Sequence, residues 1–246
     1  MITSKTNDLI RLVRSLKHKK YRDEHQLFFA EGEKLVSDTL ASGLAAEHIL
    51  ITEKFAEKNA VPENAAVISD EIMEYISDVR TPQGIVSVFR QRYSTEEEIY
   101  SCRKLLFLDG IQSSDNAGAL IRTAVCAGFD GAAASYGSAD FYSPKTIRAS
   151  AGSIMQTKLF ACPAEILADL KESGFEIIAA DAGGSENYQI PDGHFVLVIG
   201  SEGKGLSETV RALSDRLIGI KIAGSCESLN AAVAGGILMY KLSGLI

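Results

Sequence analysis

The stretch Lys104-Leu105-Leu106-Phe107-Leu108-Asp109-Gly110-Ile111-Gln112-Ser113-Ser114-Asp115-Asn116-Ala117-Gly118-Ala119-Leu120-Ile121-Arg122-Thr123-Ala124 changes its hydrophobic period once. Residues 104–108 are almost all apolar and read as a short buried strand, stopped by Asp109-Gly110. From about Asn116 to Ala127 the apolar residues fall at helical spacing, and Gly128 closes the run. The same rhythm continues toward the C-terminus. Strands are expected at 131–134, 176–180, 194–199 and 216–222, with helices at 164–173 and from about Asn230 to Leu242. Buried strands separated by helices predict an α/β fold with a parallel sheet covered on both faces. Ligands of such sheets bind beyond the carboxyl ends of the strands, so the loops after Leu108, Ile199 and Ile222 are the places to look.

Toward the N-terminus the pattern is shorter. Leu9, Leu12, Val13 and Leu16 mark a helix over 7–20, and a second helix over 33–42 ends near Gly43. Strands at 48–51, 66–68 and 84–89, with a helix over 70–77 capped by Ser69, make a small α/β module. The polar stretch 93–103, carrying Glu96-Glu97-Glu98, reads as a linker or as a surface helix within one continuous domain.

Composition narrows the class. The chain has 246 residues, 46% hydrophobic and 23% charged, with net charge -7. No apolar run reaches the roughly 18 residues of a membrane helix. Met1-Ile2-Thr3-Ser4-Lys5 lacks the apolar core of a signal peptide, so a cytoplasmic location is expected. Cys102, Cys126, Cys162 and Cys226 are widely spaced, and His18, His25, His48 and His194 form no cluster, so no metal site is expected. The negative charge is unevenly spread. Lys5, Arg11, Arg14, Lys17, Lys19, Lys20 and Arg22 face one acid, Asp8, before Asp23. That cluster reads equally as a phosphate-binding patch or as a solvated helix face.

The three loops carry polar groups that packing alone does not require. Asn116 stands where a helix N-cap belongs. Arg122 follows six residues later among Ala, Leu and Ile, its planar guanidinium suited to a phosphate or a developing oxyanion. Gly200-Ser201-Glu202-Gly203-Lys204-Gly205 permits close backbone approach to a ligand. A Walker loop would need glycine at Val198, and a dinucleotide fingerprint would follow the first strand of its sheet, which weighs against a nucleotide-dependent oxidoreductase. In the third loop Ser228 is a capping candidate. Ala231, Ala232, Gly235 and Gly236 suit tight helix packing, which leaves Ser228 and Asn230 unexplained.

Together these loops resemble the three signature motifs of the SpoU (TrmH) family of RNA ribose methyltransferases, in the SPOUT superfamily. Leu108–Gln112 with Asn116 and Ile121–Ala124 resembles the first motif, and Ile199–Leu206 the second. Ser228-Leu229-Asn230 with Ala234–Ile237 resembles the third. Tyr142–Lys145 and Arg148–Ser153 look like a further family segment. Lys20-Tyr21-Arg22, Phe29–Gly32 and Thr81–Gly84 resemble pieces of the family's RNA-binding domain. Proline is missing before Asn116, alanine stands at position 232 where serine is common, Lys221 replaces a common proline, and Ser143 a common asparagine.

The resemblance implies a substrate-binding domain over 1–92, a linker over 93–103 and a SPOUT methyltransferase domain over 104–246 tied in a trefoil knot. It implies S-adenosylmethionine as cofactor and a homodimer whose active site is built from both subunits. The substrate would be RNA, ribosomal before transfer RNA; a non-catalytic RNA-binding assembly factor of the same fold is the other reading. Catalytic roles pass to Arg122, Asn116, Glu202, Ser228 and Asn230. Cofactor contacts pass to Ala180, Asp181, Ala182, Gly200, Ile220 and Leu229, and RNA contacts to Lys17, Lys19, Lys20, Arg22, Lys145 and Arg148.

Overall fold

The computed structural model describes all residues from 1 to 246. It divides into two compact units, Met1–Gln91 with Tyr142–Met155, and Arg92–Phe141 with Gln156–Ile246.

The first unit begins with α1 (Asp8–Ser15), α2 (Lys19–His25), β1 (Leu27–Glu31), α3 (Glu33–Ala41), β2 (Ala46–Thr52), α4 (Glu53–Ala56), β3 (Ala66–Ile68), α5 (Asp70–Ile76) and β4 (Ile85–Arg90). The strands order β1-β4-β2-β3, with β4 antiparallel to β1 and β2, and β3 parallel to β2. Ile10 and Val13 of α1 and its C-cap residue Leu16 are fully buried with Phe29, Leu50, Ile72 and Val86 on one face of this sheet. The single helix expected over 7–20 is two helices, because the chain turns at Leu16–His18 and restarts at Lys19. Arg22 secures that break, donating Nη1 to the carbonyls of Leu16 at 2.7 Å and Lys17 at 2.9 Å.

The second unit contains α6 (Glu96–Ile99), β5 (Lys104–Asp109), α7 (Ser114–Cys126) and β6 (Gly131–Ala134). The chain then forms α8 (Pro144–Ala149) of the first unit and a 3-10 turn at Ser153–Gln156. It resumes with β7 (Lys158–Ala161), α9 (Ile166–Glu172), β8 (Glu176–Ser185), β9 (Phe195–Gly200), α10 (Glu208–Leu213), β10 (Arg216–Ile218) and α11 (Ala231–Leu242). The six strands order β10-β8-β9-β5-β6-β7, and every pair is parallel. Alternate residues of β5 and β9 serve opposite faces. Leu105, Phe107, Val196 and Val198 pack with residues of α9 and α10. On the other face α7 meets α11, where a Cβ on Gly235 would stand 2.3 Å from Leu120 and 3.4 Å from Ile199.

The expected boundaries need two corrections. Residues 93–103 are not a free linker: Thr95 and Glu98 form a capping box for α6, and Ile99 and Cys102 are buried in the second unit's core. Residues 142–155, expected within 104–246, belong to the first unit, since the Tyr142 ring packs 4.8 Å from Phe28, which in turn stacks on Phe89.

Candidate functional site

The site is assembled at the carboxyl ends of β5 and β9, where the polar loops converge. Ser113, not Asn116, caps α7, its Oγ accepting the Asn116 N–H at 3.3 Å. Asn116 therefore lies in the first turn with its side-chain amide available. Nδ2 donates to Glu202 Oε1 at 2.7 Å, and Oδ1 accepts from Asn230 Nδ2 at 3.1 Å. Asn230, not Ser228, caps α11, its Oδ1 accepting the N–H groups of Ala232 at 2.9 Å and Val233 at 3.3 Å.

The direction of this relay is fixed at both ends. Glu202 as a carboxylate only accepts, so it must meet the Asn116 amine. Asn230 spends its oxygen on helix N–H groups, so it can offer Asn116 only its amine. Desolvation pushes the Glu202 carboxyl upward, but hydrogen bonds from Asn116 and from the backbone N–H groups of Glu202, Gln112 and Ser113 outweigh it. The carboxyl is left below the ordinary glutamate range.

Glu202 is presented by a tight loop. Ser201 and Gly205 exchange two backbone hydrogen bonds at 2.9 Å. A Cβ on Gly200 would stand 2.5 Å from the Gly205 carbonyl carbon, so only glycine permits the closure. Buried Asp109 fastens the loop from below, accepting the N–H of Ser207, the cap residue of α10, at 2.6 Å.

Beside the relay lies a cavity of about 460 Å³, in the range of small-molecule sites. Its wall includes Ala180, Asp181, Ala182, Gly200, Ile220 and Leu229, all six positions expected to hold a cofactor, together with Ser228, Glu202 and Asn230. The cavity exists because β8 leaves its ladder. β8 pairs with β9 only as far as Ala179, and its register with β10 jumps from Ala179 to Ser185 between Leu217 and Ile218. The bowed segment is held by close backbone approach: a Cβ on Gly184 would stand 2.5 Å from the Ile218 carbonyl carbon, and one on Gly219 2.8 Å from the Gly184 oxygen. The strand expected over 216–222 consequently ends at Ile218, which frees Ile220 and Ile222 to line the cavity. Asp181 is engaged by its hydrogen bond from Arg211 and by the Gly183 N–H at 2.9 Å, both of which hold its carboxyl below the usual aspartate range. Apolar side chains interleaved with exposed backbone fit a flat heterocycle recognised along its edge.

Arg122 stands apart. Six residues beyond Asn116, it is about 120° around the helix axis. It is exposed, makes no ion pair, and is absent from both the relay and the cavity wall. Ser228 reaches the cavity wall without joining the relay. The sequence pattern alone does not single out Ser113, Asp109, Arg211 or the glycines at 184 and 219. The Gly183-Gly184 pair at a strand end was the one local signal of the distortion there.

Among the residues expected to meet RNA, Lys19 and Lys20 are exposed, Lys19 paired with Asp23 at 2.7 Å and Lys20 over the Tyr21 ring at 5.5 Å. Lys145 is also exposed. Lys17 is half-buried, its ammonium donating to the Ser77 carbonyl, and desolvation lowers its pKa. Arg148 pairs with Asp78 at 2.8 Å. Arg22, by contrast, does not fit the expected RNA contact: it is 3% exposed and its guanidinium donates to the Leu16 and Lys17 carbonyls, so it has no surface from which to meet a phosphate.

Comparison with known proteins identifies the family. Residues 103–240 match the model of the SpoU rRNA Methylase family, and residues 7–87 match the MRM3-like substrate binding domain. The chain is 30% identical over 248 residues to the 23S rRNA (guanosine(2553)-2'-O)-methyltransferase RlmP of Bacillus subtilis (strain 168), covering 99% of both chains. It is similar to the crystal structure of an AdoMet-bound rRNA methyltransferase from Sinorhizobium meliloti, with TM-score 0.87 and 29% identity over 98% of this chain and 96% of that one. The SpoU methyltransferase AviRb from Streptomyces viridochromogenes shares the fold, with TM-score 0.84 and 22% identity over 97% of each chain.

Proposed function

The chain belongs to the SpoU rRNA Methylase family, and from that premise we propose that it methylates a ribose 2′-hydroxyl of large-subunit ribosomal RNA, with S-adenosylmethionine as donor. One observation carries the assignment of residues. The Asn230–Asn116–Glu202 relay joins all three motif loops at the mouth of the cavity that the six expected cofactor positions line.

The cavity residues fit the cofactor: apolar walls from Ile199, Ile218 and Ile222 suit the adenine, and backbone at 180–182 and 218–220 offers edge hydrogen bonds. S-adenosylmethionine, when bound, supplies a methyl group made electrophilic by its sulfonium. This chain's own side chains have to position and activate the hydroxyl. Glu202 and Asn230, locked through Asn116, form a rigid polar rim whose geometry is set before substrate arrives. Such positioning can contribute about 7–11 kcal/mol to lowering a barrier. A guanidinium keeps its proton and is a poor base, so Arg122 acts by stabilising the developing alkoxide.

Because Arg122 lies outside its own chain's relay and cavity wall, the proposal includes a homodimer in which Arg122 of each protomer completes the other's site. Support comes from Leu229 and Val233, which are 39% and 52% exposed beside the relay. The knotted path of the C-terminal sheet, RNA contacts through Lys19, Lys20 and Lys145, and a cytoplasmic location belong to the same proposal. No helix is long and apolar enough to cross a membrane.

The test is transfer of labelled methyl from S-adenosylmethionine to ribosomal RNA from a strain lacking the protein, followed by nucleoside analysis. A labelled 2′-O-methylnucleoside in the large-subunit RNA is expected. Transfer to tRNA alone would keep the chemistry and discard the substrate. No transfer to any RNA, with no cofactor binding by calorimetry, would overturn the proposal in favour of a binding-only protein.

A further inference from the structure

Tyr136 is 75% exposed, more than any other large apolar side chain that the fold leaves in solvent. It stands at the carboxyl end of β6, on the edge of the parallel sheet where the relay also lies. Its turn is unusually well fixed. Ser135-Tyr136-Gly137-Ser138 closes with the Ser138 N–H donating to the Ser135 carbonyl at 3.1 Å, and Gly137 has φ +92°. Positive φ at the third residue only is type II geometry, which turns the side chain of the second residue, here Tyr136, away from the turn.

The turn is tied directly to the first motif loop. The Gly110 N–H donates to both Ser135 Oγ and Ser138 Oγ at 3.0 Å. Ser138 Oγ donates to the Leu108 carbonyl at 3.0 Å, and the Ala139 N–H to the Ile111 carbonyl. Gly110 in turn lies beside Ser201, and the next residues, Gln112 and Ser113, offer backbone N–H groups to Glu202. Tyr136 is thus one hydrogen-bonded step from the loop that holds the catalytic rim. Neither packing nor the relay uses its ring.

We propose that Tyr136 is a stacking platform for an unpaired base of the RNA, next to the methylated nucleotide. The inference rests on the RNA-methyltransferase reading above. With its backbone pinned by the turn, the ring has only its two side-chain torsions left to order when it stacks on a base. Stacking is sequence-tolerant, because every base has such a face. Recognition of RNA commonly targets bases splayed out of loops and stacked on aromatic side chains. Tyr136 would therefore select an unpaired conformation around the target rather than a base identity.

The experiment compares Tyr136→Ala, Tyr136→Phe and Tyr100→Ala with the wild-type protein in steady-state methyl transfer to a large-subunit RNA fragment. Fragment affinity, cofactor affinity and oligomeric state are measured on the same samples. Tyr100 is an exposed tyrosine before β5, at the opposite end of the strands. Tyr136→Ala is expected to raise KM and the fragment Kd about ten- to a hundred-fold, with kcat and cofactor affinity unchanged. Tyr136→Phe is expected to keep wild-type values, since a ring suffices, and Tyr100→Ala to change nothing. Unchanged KM and Kd in Tyr136→Ala would overturn the inference, as would loss in Tyr136→Phe, which would assign the role to the hydroxyl. A change of oligomeric state in Tyr136→Ala would assign the ring to a protein interface instead. If the wild-type protein binds cofactor but methylates no RNA, the underlying reading fails first. Fragment affinity then decides the stacking role by itself.

Discussion

Asn230 donates its side-chain amide to Asn116 Oδ1 at 3.1 Å across 114 residues of sequence, while its own oxygen caps α11. One side chain therefore sets the entry of the last helix and the orientation of the amide that holds Glu202. Asn116→Asp tests that arrangement with little change of shape. It replaces the donor facing Glu202 by an acceptor and puts two carboxylates side by side, so the Glu202 hydrogen bond is lost and like charges repel. Single-turnover methyl transfer is expected to fall about 10²-fold or more, the scale of losing one preorganised polar contact. Cofactor affinity, measured by calorimetry, should change far less. Wild-type turnover in Asn116→Asp would show that the relay has no part in the reaction.

Glu202 also predicts a pH signature. Its folded carboxyl lies below the unfolded glutamate value of about 4.3. The unfolded chain then binds more protons than the native one near that value, so stability rises with pH there. The stabilising contribution is complete above the unfolded value and is lost as pH falls through the folded one. Glu202→Gln should accordingly melt below the wild-type protein at pH 7, with the gap closing as pH falls below about 4. Because Glu202 is exposed, the gap should be small and salt-sensitive. A gap that is constant with pH would mean that the carboxyl titrates normally in the fold.

The basic N-terminal segment separates into two behaviours that the sequence did not distinguish. Arg22→Ala removes a buried donor from the Leu16 and Lys17 carbonyls, and it should destabilise by about 1–3 kcal/mol. Its RNA affinity at a temperature where it stays folded should match the wild-type value. Lys19→Ala with Lys20→Ala should do the reverse, leaving the melting temperature nearly unchanged and flattening the salt dependence of RNA binding. Equal RNA losses in both, with equal melting temperatures, would return Arg22 to the surface.

These contrasts mark where sequence stops being legible. The parallel sheet was readable because Leu105–Leu108 and Val196–Ile199 are buried on both faces and leave no polar alternation to mislead. Asn116, Glu202 and Asn230 were readable as residues, because each interrupts a loop or helix that packing alone would have filled differently. Their roles were not. Whether Ser113 or Asn116 caps α7, and whether Ser228 or Asn230 caps α11, depends on which oxygen reaches which N–H, and every one of these residue types can cap. The cavity was hidden for a similar reason: it comes from a register jump between β8 and β10, and pairing register is a property of two segments at once. The arginines behave alike in sequence and differently in the fold, since only packing tells buried Arg22 from exposed Arg122.

Arg122 supplies the sharpest test of assembly. It is exposed, forms no ion pair, and belongs to neither its own chain's relay nor the cavity wall. If it completes the site of a second protomer, Arg122→Ala and Glu202→Ala each abolish both sites of their own homodimer, but for different reasons. A heterodimer of the two variants then has one site lacking both groups and one site with neither defect. Co-refolding equal amounts makes about half of all dimers heterodimers by symmetry, so about a quarter of the wild-type sites are restored. Methyl transfer by the mixture should rise to that level while each variant alone stays near background. Cofactor affinity of Arg122→Ala should remain that of the wild-type protein, because Arg122 lines no part of the cavity. No recovery in a mixture shown to contain heterodimers would place Arg122 and Glu202 in the same chain's site, and the rotation of about 120° between Arg122 and Asn116 on α7 would then have to be bridged by substrate rather than by a partner.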